Sequence, residues 1–142
     1  MEKLNEVVFY TIDKAIRSYR VFAQKQLCAN GFNITIDQWL IIKCIMENPD
    51  ISQQELGEMV FKDNASVTRI IELLVKGKYL IREAHQTDKR RFTLVVTKEC
   101  KGMINKMQKV VLDYREAALK DIDVKDIKQV TTVLESIIKN CK

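Results

Sequence analysis

Apolar positions along the chain recur mostly three and four residues apart, and they predict six helical stretches with one short alternating segment between the fourth and fifth. Val8, Ile12, Ala15, Tyr19 and Phe22 form a single stripe, which predicts one helix from residue 2 to about 29. Gly31 is its natural stop. The second helix opens at Thr35, where Gln38 stands three residues on as the second half of a capping box and Ile34 and Trp39 flank it as a hydrophobic staple. It runs to about Glu47, ahead of Pro49, whose ring cannot continue a helix. Ser52 and Glu55 repeat the box, with Ile51 and Leu56 as the staple, but Lys62-Asp63-Asn64 cuts this third helix short. A fourth begins there, capped by Asp63 or Asn64, and reaches Lys76 before Gly77 ends it.

Residues 79–84 and 91–96 then read as strands, the second rich in Phe, Thr, Leu and Val, with turn residues Gln86, Thr87 and Asp88 between them. Thr97 caps a fifth helix in which Met103, Met107, Val110, Tyr114 and Ala117 repeat at heptad-like spacing. Asp123 caps a sixth, striped by Ile127, Val130, Leu134, Ile137 and Cys141. The predicted fold class is mainly α with a small β-hairpin: one domain over 1–142, with a winged helix-turn-helix core at 33–97. Within that core the helix-turn-helix spans about 51–76 and the wing about 79–97. The flanking helices, 1–30 and 98–142, carry narrow apolar seams. Such seams pack within one chain or join two copies; the second is preferred, because a small DNA reader gains by presenting two reading helices to two half-sites.

Composition narrows the classes. One Pro and four Gly fit long helices and short connections, and 46% hydrophobic with 30% charged residues excludes a disordered chain. The N-terminal stretch mixes charges into its apolar residues, unlike a signal or transit peptide, and no apolar run approaches the ~20 residues of a membrane span, so a cytoplasmic protein with no membrane partner is expected. Cys28, Cys44, Cys100 and Cys141 are scattered and there is one His, a pattern of reduced thiols with neither a metal site nor a cofactor. No Gly-rich phosphate loop, His-based nucleophile or paired-carboxylate pattern points to an enzyme.

The charge distribution points to a partner. From Lys76 to Arg91 there are six basic side chains (Lys76, Lys78, Arg82, Lys89, Arg90, Arg91) against Glu83 and Asp88, most of the net charge of +5. A concentration of this kind marks a phosphate-facing surface and predicts double-stranded DNA as the ligand. In the fourth helix Val67, Ile70, Ile71 and Leu74 share one face, which leaves Ala65, Thr68, Arg69, Glu72 and Lys76 opposite and Ser66 at the border. Asn64, Ser66, Thr68, Arg69 and Lys76 are the DNA-facing candidates there. His85, Lys89, Arg90 and Arg91 are those of the wing, with Asp88 orienting Arg90 by a paired hydrogen bond. An ordinary amphipathic helix or a solvated basic turn would each show half of this pattern; their adjacency favours the DNA reader. A winged-helix protein–protein module is the alternative, and it would show apolar residues where this helix shows Thr68, Arg69 and Lys76. Tyr10, Tyr19, Trp39, Tyr114 and Phe9 are candidates for a ligand pocket, although aromatics at helical spacing more often build core. Cys44 and Cys141 fall on apolar stripes and are expected in the core. Cys100, in the first turn of the fifth helix, is the redox candidate, since a helix N-terminus lowers a thiol pKa.

Over nearly the whole chain this combination resembles the MarR (multiple-antibiotic-resistance regulator) family of bacterial winged-helix transcription factors. The resemblance rests on Asp88-x-Arg90 followed after six residues by Thr97, on Thr35-x-x-Gln38-Trp39, on Val67-Thr68-Arg69 and on Lys76-Gly77. It implies a homodimer with intertwined terminal helices, the fourth helix in the major groove and Arg90 in the minor groove. It also implies a repressor that releases a pseudo-palindromic operator when a small anionic or phenolic effector, or an oxidant, changes the spacing of its two heads. Two features depart from the pattern: the wing tip has neither Gly nor Pro, and Cys28 lies only at the end of the first helix, where it matches the family's peroxide-sensing cysteine poorly.

Overall fold

A computed structural model describes residues 1–142. Six α-helices and a two-stranded antiparallel sheet follow one another as α1 Val8–Ala29, α2 Ile36–Glu47, α3 Gln53–Val60, α4 Asn64–Lys76, β1 Leu80–Ala84, β2 Phe92–Val96, α5 Lys98–Ala118 and α6 Val124–Asn140. This is the mainly α fold with a hairpin that the periodicity predicts.

The helix starts are set locally. The Thr35 hydroxyl accepts from the Gln38 N–H at 3.0 Å while the Gln38 side chain accepts from the Thr35 N–H, also at 3.0 Å. Ser52 and Glu55 do the same for α3. Each exchange satisfies donors that an open helix end would strand. Thr97 does more than cap α5: its hydroxyl accepts from the Cys100 N–H at 3.2 Å and donates to the Lys78 carbonyl at 2.9 Å, and its own N–H reaches the Tyr79 carbonyl at 3.1 Å. The base of the hairpin is thereby stitched to the start of α5.

The core is wholly apolar, with Leu27, Ile41, Ile42, Leu56, Val67, Leu74, Leu80 and Met107 almost fully excluded from solvent. At ~1.5–3 kcal/mol for each large aliphatic side chain buried, these residues hold α2, α3 and α4 against the hairpin and set the angle of the helix-turn-helix. Gln24 of α1 ties down the loop into α2, donating to the Ile34 carbonyl at 2.9 Å and accepting from the Ile36 N–H at 3.1 Å. Asp37, in the first turn of α2, pairs with Arg20 of α1 and, at 3.2 Å, with Lys62 in the turn of the helix-turn-helix.

Several expectations need correction. The first helix does not begin at residue 2: Leu4–Glu6 form a separate 3-10 turn closed by the Glu6 carboxylate on the Lys3 N–H, Val7 is extended, and α1 starts at Val8. Two consecutive β-branched residues are poor helix starters. Each strand begins one residue later than predicted, at Leu80 and Phe92. On α1 the buried positions are Ala23 and Leu27, while Val8 and Ala15 of the predicted stripe are exposed. The face of α5 that enters the core is Cys100, Ile104, Met107, Val111 and Tyr114, one position on from the expected Met103 and Val110, which are half-buried. On α6 no residue is buried; Ile127, Leu134 and Ile137 are half-covered, and Val130 and Cys141 are exposed. Cys141 is therefore not a core residue. Cys44 is half-buried against the core, as expected.

Candidate nucleic-acid interface

The turn from α3 to α4 places the polar face of α4. Phe61 closes α3 in the left-handed region (φ 61°), and Asp63 caps α4 by accepting the Ser66 N–H at 2.7 Å. That N–H, then the Ser66 hydroxyl, holds the Asp63 carboxyl below the ordinary carboxylate range. Asn64 is thus the first helical residue, not the cap, and its side chain is free for other work. Val67, Ile71 and Leu74 are buried beneath the helix, whereas Asn64, Ala65, Arg69, Glu72 and Lys76 are exposed and Ser66 and Thr68 lie at the border. The Arg69 guanidinium leans on the Ser66 hydroxyl at 3.3 Å, and Glu72 pairs with neither Arg69 nor Lys76. At 1.5 Å per residue Asn64 and Lys76 stand ~18 Å apart, so they face different parts of any duplex.

One side chain of this surface escaped the sequence reading. Gln53, the first residue of α3, crosses the helix-turn-helix and donates from Nε2 to Asn64 Oδ1 at 2.8 Å and to Thr68 Oγ1 at 2.6 Å. Thr68 in turn donates its hydroxyl to the Asn64 carbonyl at 2.9 Å. The available signal was a pair of amide side chains, Gln53 and Asn64, opening the two helices of the motif.

The wing pairs Leu80 with Val96, Arg82 with Leu94 and Ala84 with Phe92. Its seven-residue tip is closed by His85 N–H to the Arg91 carbonyl and Arg91 N–H to the Asp88 carbonyl. His85 is used inside this turn. Its Nδ1 accepts the Asp88 N–H at 3.0 Å and the Thr87 N–H at 3.3 Å, which leaves only the Nε2 edge for a phosphate. Asp88 likewise serves the backbone first. Its Oδ1 accepts the Arg90 N–H at 3.0 Å, while the Arg90 Nε lies 3.7 Å away, too far for the paired hydrogen bond expected from the sequence. The Arg90 side chain is 95% exposed, and Lys89 and Arg91 are exposed beside it. A cleft of about 240 Å³ joins wing to helix, lined by Ser52 and Gln53 at the start of α3 and by Arg82, Arg90, Arg91 and Phe92 of the wing. Three guanidiniums facing a helix start give this cleft a strongly positive field.

The aromatic candidates do not gather into one site. Tyr114 is buried and stacks at a tilt on half-buried Tyr19, ring centroids 6.0 Å apart, inside the contact of α1 with α5. Burial, then Tyr19, pushes the Tyr114 phenol above its ordinary pKa. The Arg115 guanidinium lies 6.0 Å from the ring of half-buried Trp39. Tyr10 and Phe9 are exposed on the first turn of α1. Cys100 is 1% exposed and desolvation raises its thiol pKa from 9.0 to about 11, so burial outweighs the helix N-terminus, which weighs against the redox expectation.

The MarR family model matches residues 34–92, the stretch from the start of α2 to the start of β2. Those residues, which hold the helix-turn-helix and the first strand and tip of the wing, are similar to the MarR family. Among this chain's relatives is the HTH-type transcriptional regulator BilQ of Clostridium symbiosum, 24% identical over 85% of this chain and 83% of that protein. Another is the HTH-type transcriptional regulator MhqR of Bacillus subtilis, 24% identical over 69% of this chain and 66% of that protein. The likeness in fold extends through the terminal helices: the solved structure of a MarR/EmrR family transcriptional regulator from Acinetobacter superposes with a TM-score of 0.86 at 17% identity, covering 99% of this chain and 98% of that one, and that of Bordetella bronchiseptica BpsR with a TM-score of 0.86 at 14% identity, covering 96% of each chain. No helix of this chain is long and apolar enough to cross a membrane.

Proposed function

We propose that this chain is a MarR-family transcriptional regulator, a cytoplasmic repressor that binds a pseudo-palindromic operator as a homodimer, with α4 in the major groove and Arg90 of the wing in the minor groove. The observation that carries the reading is the continuous surface formed by the exposed N-terminal face of α4, the basic cleft and the bare guanidinium of Arg90. A narrow minor groove concentrates negative potential and attracts an inserted Arg, while Arg69 and Asn64 stand where base edges would lie. Ser66, Lys76, Lys89, Arg91 and the Nε2 edge of His85 are the phosphate-side contacts, and their neutralising charge makes binding steeply salt-dependent.

Support for the homodimer comes from α6 and the start of α1. Val8, Phe9 and Ile16 of α1 and Val130, Val133 and Ile138 of α6 are all about half exposed or more, and α6 buries none of its own residues within one chain. A helix of this length without a partner is marginal in water, and a second copy supplies the missing apolar face. A small anionic or phenolic effector would act by changing the spacing of the two heads; the BpsR structure is described in terms of regulation of DNA binding by 6-hydroxynicotinic acid. Cys100 is left out of this regulation because it is shielded.

Selecting binding sites from random duplex DNA with the purified protein tests the reading. Enrichment of two dyad-related half-sites spaced by about one helical turn, ~10 bp, supports it. Recovery of no enriched motif would discard it in favour of a winged-helix protein–protein module.

A further inference from the structure

We infer that His85 shapes the wing tip as a neutral ring protonated on Nε2 alone, taking the part that Asn or Asp plays in an Asx turn, and that it thereby positions Arg90. The last step rests on the reading that Arg90 enters a DNA groove.

The tip from His85 to Arg91 has neither Gly nor Pro, and none of its residues lies in the left-handed region. Side chains set its course instead. His85 and Asp88 are half-buried, whereas Gln86, Thr87, Lys89, Arg90 and Arg91 around them are exposed. His85 Nδ1 stands 3.0 Å from the Asp88 amide nitrogen and 3.3 Å from that of Thr87. Asp88 in turn accepts the Arg90 N–H, two residues on, at 3.0 Å. These are two Asx-type turns in succession, with His in the first where Asn or Asp is usual. The exchange works because Nδ1 is bonded to Cγ, as the Oδ1 of Asn is, so both put an acceptor at the same reach from the backbone.

A backbone N–H can only donate, and this fixes the ring. Nδ1 faces two such donors and must offer its lone pair to them, so the neutral ring carries its one hydrogen on Nε2. The Thr87 hydroxyl, 3.3 Å from the same nitrogen, does not alter this whichever way its hydrogen turns. A hydrogen on Nδ1 would oppose both amides and take their acceptor away. Toward DNA, His85 therefore brings a hydrogen-bond donor and no charge. Its larger effect is through Arg90, whose backbone is held by Asp88, whose own amide is held by His85.

Three variants separate the two ring nitrogens. His85→Asn keeps an acceptor at the reach of Nδ1, His85→Gln keeps a polar group at the reach of Nε2, and His85→Ala keeps neither. Affinity is measured on the duplex that random-site selection recovers with the natural full-length protein, and circular dichroism checks each variant's fold. His85→Asn should bind within about twofold of the natural protein, while His85→Gln and His85→Ala should lose roughly tenfold. Nitrogen-15 NMR of the ring in the unbound protein should show the Nε2–H tautomer, a signal made unambiguous by the chain's single His. Rescue by Gln and not by Asn would overturn the inference and make Nε2 a phosphate contact. Three variants of equal affinity, or a proton found on Nδ1, would overturn it too. A natural protein that enriches no motif would overturn the DNA reading and with it the role toward Arg90; the ring's tautomer distinguishes that failure from a wrong account of the tip.

Discussion

Gly57 and Lys62 meet where α3 turns into α4, and a methyl group added at Gly57 would stand 2.9 Å from the Lys62 carbonyl oxygen and 3.5 Å from a Val67 methyl. The same carbonyl belongs to the residue whose N–H closes the turn on the Gly57 carbonyl at 2.9 Å. The two helices can cross at this angle only because position 57 lacks a Cβ. Gly57→Ala is therefore expected to destabilise the fold by ~1–3 kcal/mol, as overpacking of a well-filled interior does. Urea denaturation checks this; an unchanged midpoint would show that the turn has slack the structure does not display.

Phe61 makes the opposite prediction. It occupies the left-handed region at φ 61° with 93% of its surface exposed, so the fold bears backbone strain and gains no packing in return. Left-handed backbone costs a non-glycine residue ~1–2 kcal/mol, and glycine gives back part of that by its greater freedom when unfolded. Phe61→Gly should raise stability by ~0.5–1 kcal/mol, read as a higher thermal midpoint. A fall in stability would mean that the aromatic ring makes a contact absent from the single chain.

The wing separates charge from shape. Arg90→Ala should weaken operator binding by ~1–3 kcal/mol while leaving the fold intact, since the side chain touches almost nothing within the protein. Asp88 acts through the turn, where its carboxylate accepts the Arg90 N–H. Asp88→Asn keeps an acceptor and should bind nearly as well as the natural protein, whereas Asp88→Ala should lose ~0.5–1.5 kcal/mol of binding. Titrations of labelled duplex at fixed salt distinguish the cases; equal losses for Asn and Ala would instead indicate that the negative charge itself holds the guanidinium.

The helix starts at Thr35, Ser52, Thr97 and Asp123 were legible in the sequence because a cap is a bond between residues two or three apart and depends on little else. The α5 face was not. Apolar residues stand at both 103 and 104, and at both 110 and 111, so two seams compete and only the packing against α1 selects Ile104 and Val111. The basic tip was visible as a run of charge, but the use of His85 and Asp88 to hold backbone amides required the turn itself. Gln53 lies eleven residues before Asn64, and nothing local reveals that their amides meet; the angle fixed by Gly57 brings them together.

The dimer prediction turns on α6. Val133 is 52% exposed on a helix with no buried residue, so a charge placed there disturbs nothing in the isolated chain but would lie in the apolar seam between two copies. Val133→Asp should shift sedimentation equilibrium from dimer toward monomer, keep the helical circular dichroism of the winged-helix core, and reduce binding to a full operator far more than to a single half-site. A dimer of unchanged strength would place the interface elsewhere than α6.

Cys100 supplies a pH-dependent prediction of definite sign. Desolvation raises its thiol pKa from 9.0 to about 11 in the folded chain, so the folded state favours the protonated form more than the unfolded state does. A group of this kind adds its full contribution to stability below pH 9, and that contribution declines as pH rises from 9 toward 11, because the unfolded chain gains by releasing the proton first. Urea midpoints measured across that interval should fall more steeply for the natural protein than for Cys100→Ala, which has no proton to release there. The reactivity follows the same cause. At pH 8 a thiol reagent should label exposed Cys28 and Cys141 at once and reach Cys100 only on unfolding. Rapid labelling of Cys100 in the native protein, together with identical pH profiles for the two proteins, would show that the start of α5 opens to solvent and would restore this thiol as a redox candidate.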